Sequence, residues 1–234
     1  MPRTRRSRAR SVTGPDQEPP LNVDRIVEAA LGLLDRVGLE GLSMRHLAEQ
    51  LGIHAATLYW YVRDKQELLS LLAEAICREI QPPDPDALWR VRLETLMGEY
   101  RRVLRAHRDA AHILVATLPA GAQRLRLVDL TLGALVAAGF DGWAASRAGR
   151  LVVDYTTGFV QEEYVTAGRP MPPTAEHGPR DADMDHLPTL TEVSPEVYPN
   201  IALLSPYLTD RDDDARFRFG LGVILDGLAQ QRVR

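Results

Sequence analysis

Apolar residues recur at helical spacing in successive blocks along this chain, and no stretch sustains the alternation of a strand. The first block opens at Asn22, a fair N-cap, and carries Ile26, Ala29, Ala30, Leu33, Leu34 and Val37 down one face before Gly38 stops it. In the next, Ser43 can cap the opening turn with its hydroxyl, and Met44, Leu47, Ala48 and Leu51 share a face. Gly52 then supplies the positive φ that a tight interhelical turn demands. Ile53 and Leu58 plug the angle between this helix and the following one, leaving His54, Ala55, Ala56, Thr57 and Tyr59 facing outward. Two short helices crossing at a glycine, the second turned outward, form the helix-turn-helix that enters a DNA major groove, although ordinary helical hairpins share the spacing.

Asp64-Lys65-Gln66-Glu67 reads as a capping-box-like start for a long apolar helix, which Gln81-Pro82-Pro83-Asp84-Pro85 breaks. Helical blocks continue over residues 88–107, 110–118 (ended by Pro119), 123–138 (closed by Gly139) and from Asp141 to about residue 165. Residues 166–193 are rich in Pro, Gly, Asp and Thr without an apolar period, and a mobile loop is expected there. Ser194-Pro195-Glu196 marks a further helix start. Residues 215–231 carry Phe217, Leu221, Ile224, Leu225 and Leu228 down one side. The predicted fold class is all-α. A disordered arm (1–20) precedes a three-helix helix-turn-helix domain (21–66), a connecting helix (67–81) and a larger helical bundle (86–234).

Composition narrows the possibilities. No apolar run approaches the roughly 20 residues of a membrane span, and the basic N-terminus lacks the apolar stretch of a secretory signal, so a cytoplasmic protein without a membrane partner is expected. The lone Cys77 excludes an intrachain disulfide, no Cys/His spacing suggests zinc, and Cys77 itself reads as a small core residue. The net charge of −4 hides an asymmetry: residues 1–20 carry five arginines against two acids, and residues 170–214 two arginines against ten acids. Residues 21–66 are about neutral, so the helix-turn-helix does not rely on a strongly basic surface. Asp154, Glu162 and Glu163 share one helix and His107, His112 and His186 are scattered, but no Glu-x-x-His pair, nucleophile with a base, or phosphate-binding glycine loop occurs. An enzyme is not expected, nor a cofactor.

The run VGLEGLS followed by LYWYVRDKQELL resembles the DNA-binding domain of the TetR family of bacterial repressors over residues 21–80. AHRDAA from Ala106 to Ala111, the Thr117-Leu118-Pro119 turn, Ala138-Gly139-Phe140 and FRFGLGVILDGLAQQ from Phe217 to Gln231 resemble the family's tetracycline-responsive members, so only the arm and the long loop lie outside the likeness. The resemblance implies a ligand-responsive transcriptional regulator, a repressor, that binds a palindromic operator in double-stranded DNA as a homodimer and is released by a small-molecule effector. It implies base reading by Arg45 and phosphate contacts from Thr57, Tyr59 and Lys65. Ala55 and Ala56 stand where those repressors carry larger residues and can touch only thymine methyls, while His54 can donate to a base or a phosphate. Trp60 is expected to pack beneath the recognition helix as core, and the arginine-rich arm either enters the adjacent minor groove or stays a solvated tail. The four-helix dimer interface of the family falls on residues 141–165 and 215–231, with Gly220, Gly222 and Gly227 allowing close approach or packing within one subunit.

Where those repressors hold a magnesium–drug chelate, this chain departs. Thr117 is retained and Glu162 takes the glutamate position, but Leu114, Leu118 and Leu96 replace a histidine, an arginine and an asparagine, Gln81 a second histidine, and Tyr100 a phenylalanine. A one-residue length difference between Pro119 and Phe140 leaves the helix between them without assigned equivalences. A leucine cannot ligate magnesium and one carboxylate makes a weak site. The expected pocket is metal-free and poor in charge, and takes an apolar or aromatic effector oriented by Tyr100, Thr117 and Glu162. A tetracycline-type antibiotic response and a helical interaction protein that binds no DNA are the alternatives.

Overall fold

The structure, a computed structural model, describes residues 20–166, 193–208 and 212–231, and no strand occurs among the described residues. The expected basic arm and nearly all of the expected mobile loop lie outside that set. Helix α1 (Val23–Gly41) starts where Asn22 Oδ1 accepts from Arg25 N at 2.9 Å, and its regular winding ends at Gly38, whose φ is 72°. Helix α2 (Met44–Gln50) is capped by Ser43, whose hydroxyl oxygen accepts from His46 N. Gly52 takes φ 66° in the turn to α3 (Ala55–Tyr59). Helix α4 (Lys65–Arg78) begins with Asp64 accepting from Glu67 N at 2.8 Å, while the Glu67 carboxylate reaches back to Arg63 N, one residue beyond a reciprocal capping box.

The bundle comprises α5 (Trp89–Ala106), α6 (Ala110–Ala116), α7 (Ala122–Ala137), α8 (Gly142–Thr166), α9 (Pro199–Leu208) and α10 (Asp213–Gln230). Helix α8 packs against α5, α6, α7 and α10, and α4 against α1, α5, α6 and α7. Asp141 caps α8 through Ala144 N and Asp212 caps α10 through Ala215 N, each at 2.8 Å. Ser194-Pro195-Glu196 does not start α9. It forms one turn, with Val197 N and Tyr198 N both donating to Ser194 O, and the helix begins only at Pro199. Proline disfavours helical φ/ψ in the residue before it, so Tyr198 interrupts the winding.

One apolar cluster runs through both halves of the molecule. Ile26, Leu33 and Leu34 of α1, Leu47 of α2, Leu58 of α3 and Val62 meet Leu68, Leu72 and Ile76 of α4, all with no more than 1 % exposure. Cys77 joins them, and burial pushes its thiol up to about 12, the protonated, inert form. Within the bundle the buried Arg101 guanidinium bonds Glu163 of α8 and Asp214 of α10 and lies 4.8 Å from the Phe217 ring centroid. Removing Glu163 leaves the buried guanidinium with the exposed Asp214 as its remaining hydrogen-bonded carboxylate. Glu163→Ala is therefore expected to destabilise the fold by about 3 kcal/mol in urea unfolding, whereas the exposed Asp154→Ala is expected to change it by under about 1 kcal/mol.

Candidate DNA-binding surface and effector cavity

The short α3 presents most of its surface to solvent. Leu58 is its buried anchor and Val62, one turn on, is the next, so His54, Ala56, Thr57 and Tyr59 are exposed and Ala55 is partly covered. Trp60 is 89 % exposed, which corrects the expectation that it packs as core. Two residues past Leu58 a helical side chain points about 200° away, so the Leu58–Val62 seam turns Trp60 outward. Arg45 lies on α2, its Nε 2.9 Å from Glu49 one turn later, in an exposed pair that leaves most of the guanidinium free. Lys65 donates to Leu39 O at 3.1 Å and so braces the turn between α1 and α2.

A cavity of about 570 Å³ opens between α5, α6, α7 and α8. Its apolar lining includes Leu114, Leu118, Leu127, Leu132 and Val153. Tyr100 is on the wall with its hydroxyl 3.0 Å from Thr157 Oγ1. The Thr157 hydrogen goes to Val153 O, so Tyr100 is the donor and keeps an acceptor lone pair. Burial raises the Tyr100 phenol, which stays neutral. Thr117 also lines the cavity, but its hydroxyl is occupied on both sides, donating to Ile113 O and accepting from Arg124 Nη1 at 2.7 Å.

Two expected lining residues are elsewhere. Leu96, one turn before Tyr100, is fully buried in the core, and Glu162 faces α10, where its carboxylate accepts from Arg216 at 2.6 Å, while its neighbour Gln161 reaches the cavity. Gln81 is exposed, its backbone N–H donating to Glu99. The cavity is also richer in charge than expected, since Arg124, Arg150 and Asp154 line it. Arg124 went unseen because the length difference before Phe140 blurs its helix. One local signal was available: an arginine in the first turn of a helix sits at the wrong end of the macrodipole.

The cavity wall is tied to α4. Helix α7 has no side-chain cap of its own, and Glu74 of α4 supplies one, accepting from Gln123 N at 2.7 Å and Arg124 N at 3.1 Å. Two turns earlier on α4, Gln66 donates to Ala116 O at the end of α6. A third tie joins the α5–α6 turn to the helix-turn-helix: Asp109, at φ 59°, accepts from Leu39 N at 2.7 Å. Buried His112 of α6 packs edge-on against Tyr164, and burial lowers its pKa, keeping the ring neutral.

An outward recognition helix joined by a shared helix to a hollow bundle is the architecture of a ligand-responsive DNA-binding regulator. The chain belongs to the TetR family: the profile described as "Bacterial regulatory proteins, tetR family" matches residues 26–72, and "Tetracyclin repressor-like, C-terminal domain" matches residues 81–232. It is 35% identical over 216 residues to the Tetracycline repressor protein class A from transposon 1721 of Escherichia coli, covering 91% of this chain and 93% of that one. Among solved structures it is similar to Streptomyces coelicolor ActR in complex with actinorhodin, with TM-score 0.76 and 31% identity over 92% of this chain and 98% of that one. BioQ with its natural double-stranded DNA operator gives TM-score 0.65 and 26% identity, over 90% and 99% of the two chains. A magnesium site of the tetracycline type does not fit this cavity, where Leu114 offers no donor and a guanidinium holds the Thr117 hydroxyl.

Gly121 permits the α4–α7 tie, because a Cβ there would fall on the Glu74 carboxyl group. Gly121→Ala is expected to lower the thermal midpoint by several degrees, and Glu74→Ala in the same chain to recover part of that loss, a coupling read from a double-mutant cycle.

Proposed function

We propose that this chain grips a palindromic operator as a homodimer and that an organic effector filling the cavity between α5, α6, α7 and α8 weakens the grip, making it a ligand-released repressor that works where the DNA is, in the cytoplasm. The observation that carries this reading is the set of three hydrogen bonds between α4 and the cavity wall, one at Gln66 and two at Glu74, on the helix that continues from the helix-turn-helix. A ligand that spreads α6 from α7 changes the seat of α4, and with it the spacing of two recognition helices. The domain division proposed is the one at Gln81–Pro85, where the chain leaves α4 and proline halts helical winding before α5.

On the DNA side Arg45 forks to a guanine edge, Thr57, Tyr59 and Lys65 fix the pose on phosphates, His54 donates to a base or phosphate, and Ala55 and Ala56 leave room for thymine methyls. One such helix reads too few bases for useful selectivity, which argues for a two-fold partner. Helices α8 and α10 offer the surface: Trp143, Leu151, Phe219 and Val223 are exposed there, and Gly222 and Gly227 leave space above the backbone. Gly220 does not contribute to that approach, because the Tyr155 ring of the same chain fills the space beside it. The effector is held by apolar contact with Leu114, Leu118 and Leu127 and oriented by Tyr100.

Fluorescence anisotropy with the DNA upstream of the gene tests this. Wild-type binding is expected to weaken steeply with salt, Arg45→Ala to cost about 1–3 kcal/mol on the operator alone, and Lys65→Ala to weaken operator and unrelated DNA alike. A monomeric protein, or one that ignores that DNA at low ionic strength, overturns the proposal.

A further inference from the structure

The formal charges around the cavity do not cancel. Arg150 and Asp154 satisfy each other at 2.7 Å on the α8 side. Arg124 forms no ion pair among the described residues; its guanidinium is held by neutral oxygens only, Thr117 O at 2.8 Å, Thr117 Oγ1 at 2.7 Å and Leu114 O at 2.9 Å. Those bonds use both Nη1 hydrogens and one of Nη2, so the Nε–H and the second Nη2–H remain for a ligand. The nearby Glu74 carboxylate is turned to the backbone, accepting from Gln123 N and Arg124 N. The cavity it faces is lined by Leu114, Leu127, Val128 and Leu132, an apolar wall beside which a charge-assisted bond is stronger than in open water.

We propose that Arg124 selects effectors carrying an acidic group, so that the natural ligand is an aromatic carboxylate or an equally acidic conjugated oxyanion, not a neutral ring system. This rests on the reading of the cavity as the effector site. An arginine fork suits a planar carboxylate in two-point contact, and the remaining wall suits the rings. Engagement also has a mechanical consequence. A carboxylate on the remaining Nε–H and Nη2–H pulls on a guanidinium that already holds Leu114 O and Thr117 O, carbonyls either side of Ala116, whose own carbonyl is bonded to Gln66 of α4. The acid group thus acts on the same segment that seats α4.

The test compares two probes of nearly one shape, anthracene-2-carboxylate and anthracene-2-carboxamide, titrated calorimetrically into the full-length chain at neutral pH. The wild type is expected to bind the carboxylate at least about tenfold more tightly than the carboxamide. Within Arg124→Gln the two probes are expected to bind within about twofold of each other, with carboxamide binding still measurable, and Arg124→Lys is expected to retain part of the preference. Equal affinity of the wild type for both probes, or a preference that survives in Arg124→Gln, overturns the role of Arg124 and leaves the cavity as an effector site. Failure of both probes to bind the wild type overturns the cavity reading, and this inference with it.

Discussion

The buried flank of α4 is the constraint from which the rest follows. Leu68, Leu72, Ala73 and Ile76 are wholly removed from solvent, on a helix that packs against α1 as well as against α5, α6 and α7. Each large aliphatic side chain so buried contributes about 1.5–3 kcal/mol, so α4 cannot detach from either half without a cost comparable to a domain's whole stability. A helix seated this way moves as a rigid body, with both neighbours adjusting. The recognition helix, only five residues long and anchored by Leu58, has no stability of its own and takes its position from the helices beneath it.

Most of the architecture was legible because its signals are local. Asn22, Ser43, Asp64 and Asp141 each place a side-chain oxygen on an N–H of the first turn, and Gly38, Gly52 and Gly139 take the positive φ that ends or joins helices. Local signals also misled. Ser194-Pro195-Glu196 has every mark of a helix start, yet a second proline four residues later outweighs it. Trp60 invited a core assignment by its size, although the Leu58–Val62 seam had already determined which side faces inward.

The two halves of the candidate site differ in the same respect. The DNA-facing surface comes from one stretch of some twenty residues, so periodicity alone separates Leu58 from Thr57 and Tyr59. The cavity draws on four helices, and position within one helix does not say which wall a residue reaches. Leu96 and Tyr100 share a face of α5, yet only Tyr100 lines the cavity. Glu162 and Gln161 are adjacent on α8, and the carboxylate, the chemically suggestive one, turns to Arg216. Arg124 and Glu74 escaped for a further reason: their roles lie in bonds to backbone atoms of other elements, which leave no residue pattern.

It is instructive that polar bonds join α4 to the cavity wall when apolar packing supplies the bulk of its stability. Hydrophobic contact is non-directional and tolerates small slides, so a greasy seam alone would absorb a ligand-induced shift without transmitting it. A hydrogen bond weakens steeply as its angle degrades, and a carboxylate capping a helix loses two bonds together if that helix tilts. Glu74 on α7 and Gln66 on α6 therefore convert a small displacement of either wall into a discrete change in what holds α4. The bare glycine at 121 allows the carboxylate to close on the backbone, which makes the tie short and hence sensitive. Apolar burial holds α4 in the fold, and the directional bonds of Gln66 and Glu74 give it a preferred seat that a ligand can disturb.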